Sequence, residues 1–148
     1  MTYSEQNSNP VDDLLQEARE DEFLEVVRVG VGPVSLAGLE RPVRRPMAWP
    51  DPFQAKADHY VVWLSNEPFT IVFSYPRPTQ GANVLEAVPL ADDPYFRDAT
   101  FVAVARMRVD SGTGHPYKYT LTVLDQEGGR LRSIDPGGHV DRDPKKLG

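Results

Sequence analysis

Residues 101–109 read FVAVARMRV, and residues 117–123 read YKYTLTV. In the first run Phe101, Ala103, Ala105, Met107 and Val109 fall on one side of an extended chain, and Val102, Val104, Arg106 and Arg108 on the other. The first side is apolar throughout; the second turns polar only at Arg106. Successive strand side chains point to opposite faces, so this pattern predicts a strand covered on both sides over its first half. Ala, Arg and Met would also suit a short helix. The β-branched residues sit early, however, and Asp110-Ser111-Gly112 stops the run, which favours the strand.

The second run alternates more cleanly. Tyr117, Tyr119, Leu121 and Val123 share one face and Lys118, Thr120 and Thr122 the other, the signature of a strand with one buried and one wet side. Gly128-Gly129, flanked by Asp125-Gln126-Glu127 and Arg130, reads as a hairpin turn, with Leu131 and Ile134 on the returning strand. Asp135-Pro136 then fixes the chain, and Gly137-Gly138 allows an abrupt change of direction.

Working outward, residues 58–65 (DHYVVWLS) and 69–75 (FTIVFSY) are two further strands rich in β-branched and aromatic side chains. Only Asn66-Glu67-Pro68 separates them, which predicts adjacent antiparallel neighbours. Residues 23–36 (FLEVVRVGVGPVSL) form a first strand, with a bulge or bend expected from Gly30 to Pro33. Gly30-Val31-Gly32 lacks the third glycine of a dinucleotide-binding turn. Gly38 to Pro52 carries four prolines and is expected to be a long irregular connection. Residues 76–99 are loop-rich, with one strand or helical turn near Val84 to Val88.

The N-terminal side differs in character. Residues 1–10 are polar and expected to be disordered. Residues 11–22 predict a short amphipathic helix, with Val11, Leu14, Leu15 and Ala18 on one stripe and Asp12-Asp13 at its positive end. Residues 23–142 are then the β domain, and 143–148 a charged tail.

The chain has 148 residues, 40% hydrophobic and 26% charged, which is one globular domain with room for a core. Its 14 prolines and 11 glycines suit short strands joined by turns. Of the formal charge of −6, residues 1–25 account for −7, with eight acids against Arg19 alone. The remainder is nearly neutral, so no nucleic-acid partner is expected. There is no cysteine, which removes disulfide scaffolds and thiolate metal sites. No signal peptide is visible and the apolar runs are too short for a membrane helix, so a cytoplasmic protein without a membrane partner is expected.

Together these readings predict an all-β fold, an antiparallel Greek-key β-sandwich with a short N-terminal amphipathic helix. The order of segments carries a resemblance. A strand ends in Trp63 and Asn66, the FTIVFSY strand follows, then a proline-rich crossing, an alternating strand, Tyr117 to Val123 and a terminal Asp135-Pro136. Over residues 57–142 this resembles bacterial cupredoxin-like or immunoglobulin-like single-domain β-sandwiches of uncharacterised function. A blue-copper centre needs a cysteine thiolate between imidazoles, so the resemblance implies a version without that site.

Catalytic constellations are thin. His59, His115 and His139 have no metal-motif spacing; as the outside possibility they converge on a zinc or nickel ion. Ser111, His115 and Asp110, or Ser133, His139 and Asp135, can be composed into triads, but no Gly-x-Ser-x-Gly turn surrounds either serine. No cofactor is expected. Arg41, Arg44 and Arg45 near Trp49 are the basic cluster, and arginine beside an aromatic suits an anionic ligand.

The leading expectation is a non-enzymatic module acting through protein–protein contact with a partner or with itself, as an accessory, adaptor or self-assembling subunit. Its contact candidates are Leu14, Leu15 and Ala18 on the helix and Arg41, Arg44, Arg45 and Trp49. The alternative is a sandwich that binds a sugar or an anionic group through the Arg41–Trp49 loop.

Overall fold

The computed structural model describes residues 10–34, 38, 43–91, 93–96, 98–126 and 129–144. Residues 1–9, Arg41, Gly128 and residues 145–148, which carry the expected disordered start, one candidate arginine, half of a turn and most of the charged tail, lie outside these. Helix α1 spans Pro10–Arg19, with Pro10 at its first position and Asp12 and Asp13 in its first turn. Among the described residues eleven strands follow: β1 Glu25–Val34, β2 Val43–Trp49, β3 Phe53–Lys56, β4 Tyr60–Ser65, β5 Phe69–Phe73, β6 Val84–Glu86, β7 Val88–Pro89, β8 Phe101–Arg106, β9 Pro116–Asp125, β10 Arg130–Ile134 and β11 Gly137–Asp141.

They form two sheets. The first runs β2-β1-β4-β8-β7; the second runs β3-β11-β9-β5-β6, with β10 also paired to β9. Both are mixed, which corrects the expected all-antiparallel arrangement: β1 runs parallel to β4, and β11 parallel to β3. The expected β4–β5 hairpin is also corrected. β4 lies between β1 and β8, while β5 lies between β9 and β6 in the other sheet. The turn at Asn66-Glu67-Pro68 carries the chain from one layer to the other. Glu67 N–H is held there by the Ser65 hydroxyl at 2.9 Å. Alternation predicts a strand and its buried face but not the sheet it joins, since either placement buries Phe69, Ile71 and Phe73.

Gly38 to Pro52 is not one irregular connection. Val43–Trp49 pairs antiparallel with β1 through Gly30, Gly32 and Pro33, so the bend expected at those residues is instead part of the ladder. Pro46 is tolerated because β2 is an edge strand, where a missing N–H costs no ladder bond. After Pro50-Asp51-Pro52 the same stretch continues as β3 at the edge of the second sheet. Likewise β6 pairs with β5 and β7 with β8. Each side of the sandwich is therefore closed by a stretch of chain that changes sheet.

The layers explain the hydrophobic patterns. Between the sheets, Val27, Val61, Trp63, Ala103 and Ala105 meet Phe53, Phe69, Ile71, Phe73, Tyr119, Leu121 and Val123. Phe53, Phe73 and Tyr119 surround the Trp63 ring at centroid distances of 5.8, 6.0 and 6.0 Å. On the outside of the first sheet, α1 lays Leu15 and Ala18 over Tyr60, Val62, Leu64, Val102 and Val104. Because both faces of β4 are covered, all six of its residues are buried.

Gly138 marks the closest approach within the second sheet. A Cβ there would stand 2.2 Å from Cζ of the fully buried Phe53 ring. Gly138→Ala is expected to lower stability by about 1–3 kcal/mol through overpacking. An unfolding free energy from urea denaturation that stays within about 0.5 kcal/mol of wild type would show that Phe53 gives way freely.

Candidate functional site

The stretch expected to bind is β2, and alternation along it divides its residues. Arg45, Met47 and Trp49 are exposed, while Pro46 and Ala48 are buried. Trp49 is 75% exposed and Met47 47% exposed, beside Arg45 on the same face of the edge strand. Opposite them on β1 stand Arg28, Gly30 and Gly32. With no side chain at Gly30 or Gly32, Met47 lies over bare backbone: a Cβ on Gly32 would reach 2.8 Å from Met47 Cε. The result is a strip with an indole and a thioether in water next to a guanidinium. α1 covers the β4–β8 half of the same outer sheet face.

Arg44 departs from this strip. Its Nε and Nη2 donate to the two oxygens of Asp125 at 2.8 and 3.1 Å. Arg132 donates to Asp125 Oδ2 at 3.0 Å and, through Nη1, to the Arg44 carbonyl at 3.1 Å. The Asp125 side chain is fully buried, so this triad ties β2 of one sheet to the β9–β10 hairpin of the other. Arg44 is therefore engaged with Asp125 inside the fold, while Arg45 faces water. Arg41 lies outside the described residues.

The helix candidates lie against the first sheet. Leu15 and Ala18 are 2% and 0% exposed against the chain's own sheet, and Leu14 is half-buried beside them. An apolar helical stripe looks the same in sequence whether it covers its own domain or another's.

The polar cluster that sequence reasoning missed surrounds His59, at the end of α1. His59 is 6% exposed. Its Nδ1 lies 2.7 Å from Asp21 Oδ1 and its Nε2 lies 3.0 Å from Asp143 Oδ1. Asp21 comes from the turn after α1 and Asp143 from the segment after β11. Asp21 also accepts from Phe23 N–H at 3.0 Å and Tyr60 N–H at 2.8 Å. Burial pulls the His59 pKa down, but hydrogen bonds to Asp143 and Asp21 and their charges outweigh it and hold the pKa above the ordinary value. Tyr60 donates to Glu17, and its phenol is pushed up to about 12 by burial and by that carboxylate. Arg106 stacks over the Tyr60 ring at 5.5 Å and pairs with Asp58 at 2.8 Å. Each acid here has a fixed partner, so the cleft is arranged as a structural tie. One sequence signal pointed to it: an imidazole at the start of a strand buried on both faces needs partners for both nitrogens.

The remaining histidines lie elsewhere. His139 Nε2 meets Asp141 at 2.9 Å, and His115 sits exposed in its turn. Among the described residues no group of three or more His, Cys, Asp or Glu side chains is arranged to hold a metal ion. The composed triads do not assemble. Ser111 donates to the Arg108 carbonyl at 2.6 Å, and Ser133 bonds the Thr122 hydroxyl at 2.8 Å. Asp135 accepts from Thr120 at 2.9 Å. No helix among the described residues is long and apolar enough to cross a membrane.

No family model, curated protein or solved structure matches the chain. Of the cupredoxin-like or immunoglobulin-like resemblance, what stands is a two-sheet, mostly-β domain without cysteine and, among the described residues, without a metal-binding cluster.

Proposed function

We propose that this domain acts by contact with another protein rather than by catalysis, through the outer face of β1 and β2. The observation that carries the reading is Trp49, three-quarters exposed beside Met47 and Arg45. Trp and Arg are the residues most often found at the energetic centre of protein interfaces, and a monomer gains little from an indole kept in water. The strip sets Trp49 and Met47 beside two arginines, Arg45 and Arg28, which suits a partner surface that offers carboxylates around an apolar spot. Residues 1–25 of a second copy, at −7, have that charge. Contact would be made by the face rather than by adding a strand, because Pro46 interrupts the donors along the open edge of β2.

On the same footing, the layering and the sheet-crossing connections support a Greek-key sandwich of the cupredoxin-like or immunoglobulin-like kind. An anion-binding role for this stretch has less support, because Arg44 is committed to Asp125.

Light scattering on a sizing column tests the reading with a second copy as the first partner. The expected mass exceeds that of a monomer at low salt, falls as salt screens the charges, and falls to the monomer in Trp49→Ala. The thermal midpoint should stay within about 0.5 kcal/mol equivalent, since Trp49 is a surface residue. A monomer at every concentration and salt removes self-assembly. A Trp49→Ala protein with the wild-type mass removes this face.

A further inference from the structure

We infer, resting on the contact proposed for the outer β1–β2 face, that its occupant is helix α1 of a second copy of this chain. The two copies form a symmetric pair in which each helix lies on the other's Trp49 strip. The outer face of the first sheet has the shape of a step. In the strand order β2-β1-β4-β8-β7, α1 rests on β4 and β8, while Arg45, Met47 and Trp49 stand in water on β2. A helix with its side chains is about 10–12 Å across, and two neighbouring strands span about 10 Å. The lower half of the step is thus as wide as the helix carried by the upper half. It is also long enough, since ten helical residues rise about 15 Å and seven strand residues run about 23 Å.

The symmetry follows from the strand order. A second copy given half a turn about an axis along the β1–β4 seam, just above the sheet, presents its outer face with left and right exchanged. Its β4–β8 half, with its helix, then stands over β1 and β2 of the first copy. The first copy's helix stands over β1 and β2 of the second. One rotation fills both strips and closes the assembly at two, as an isologous interface does. Two equal contacts also double the buried area, which a single ten-residue helix would leave small.

The surfaces that meet are opposite in charge. Along α1 Asp12, Gln16, Glu17 and Glu20 are exposed, while Leu15 and Ala18 face the sheet. Arg19, the one base of the helix, is turned to Asp93 and to the Phe96 ring, so it pairs within its own chain. The strip that receives this acidic face carries Arg45 and Arg28 beside Trp49 and Met47. Guanidinium groups match carboxylates in geometry as well as charge. Met47 supplies the adaptable part, since an unbranched thioether fits an irregular surface.

The chain has no cysteine, so introduced ones report the geometry directly. The full chain is made with Gln16→Cys, with Met47→Cys and with both, and is oxidised at the concentration and salt used for light scattering. The expected wild-type mass is twice the 16.6 kDa of one chain. An equal mixture of the single variants should give a covalent dimer, and the double variant a covalent dimer that grows no further. Each single variant alone should run as a monomer on a denaturing gel. Within one chain the two positions cannot pair. β2 lies two strands, about 10 Å, from β4, beyond the roughly 7 Å between Cα atoms that a disulfide spans. Charge reversal gives a second readout. Arg45→Glu should halve the mass, and so should Asp12→Lys with Glu20→Lys, while mixing the two proteins restores it. These side chains are exposed, so the thermal midpoints should stay near wild type. A covalent ladder of longer chains overturns the symmetric pair. A dimer that Trp49→Ala dissociates, but that forms no disulfide between positions 16 and 47, overturns α1 as the occupant and leaves the face as the contact. A monomer throughout overturns both.

Discussion

Trp63→Ala is expected to cost about 3–5 kcal/mol of folding stability, the range for emptying a large aromatic site in a core. Trp63 is fully buried between the sheets, with the rings of Phe53, Phe73 and Tyr119 grouped around it at 5.8 to 6.0 Å. The loss has two parts: the transfer energy of the indole and the cavity left when three neighbours on different strands cannot close over it. These neighbours come from β3, β5 and β9, all in the sheet opposite β4, so collapse would have to bring the layers together. Against a typical total of about 5–15 kcal/mol, such a loss leaves a marginal fold. Urea denaturation would show it as a lower midpoint with an unchanged slope. Trp49→Ala is the natural control, being the same chemical deletion made in water. A Trp63→Ala cost below about 1 kcal/mol would mean that the aromatic cluster does not join the sheets.

Asp125→Ala is the second large effect, at about 3–5 kcal/mol, because it removes the anion and leaves its cations behind. The Asp125 carboxylate is fully buried and accepts from Arg44 and Arg132, whose side chains are 29% and 25% exposed. Without it, two guanidinium groups at the seam between β2 and the β9–β10 hairpin repel one another, and that seam loses its tie. Asp125→Asn keeps the shape but not the charge and should fall between the two. Replacing Arg44, Asp125 and Arg132 together by apolar residues of similar volume should recover much of the loss, since the desolvation penalty goes with the charges. If Asp125→Ala melts as wild type does, the triad is not what holds this seam.

The two tryptophans show where the sequence is readable. Trp63 sits in an unbroken β-branched and aromatic run, and such a run is buried wherever it is placed. Trp49 is bounded by Pro46 and Pro50, and prolines conceal strand character because they are allowed only at an edge. That is why β2 is hard to see in residues 38–52. Adjacent Arg44 and Arg45 differ by parity alone: one points in to Asp125, the other out to water. Parity can be assigned only once the strand is known to exist. β11 is hidden for a related reason. Gly137-Gly138 reads as a turn, yet Gly138 is there because the Phe53 ring needs its space.

The sequence by itself determined strands within residues 58–65, 69–75, 101–109 and 117–123, the division of each into two faces, and an amphipathic helix ahead of them. Side-chain alternation is a local property that does not depend on what the strand pairs with. It also determined that no thiolate chemistry is available. Only the tertiary structure decided that β4 and β5 belong to different sheets, that two pairings are parallel, and that the helix stripe is covered by its own domain. It alone joined His59 to Asp21 and Asp143, 38 and 84 residues away, and Arg44 to Asp125 across 81 residues. Such partners are chosen by the crossing of whole strands between layers, and nothing in the spacing of the residues themselves records which crossing is made.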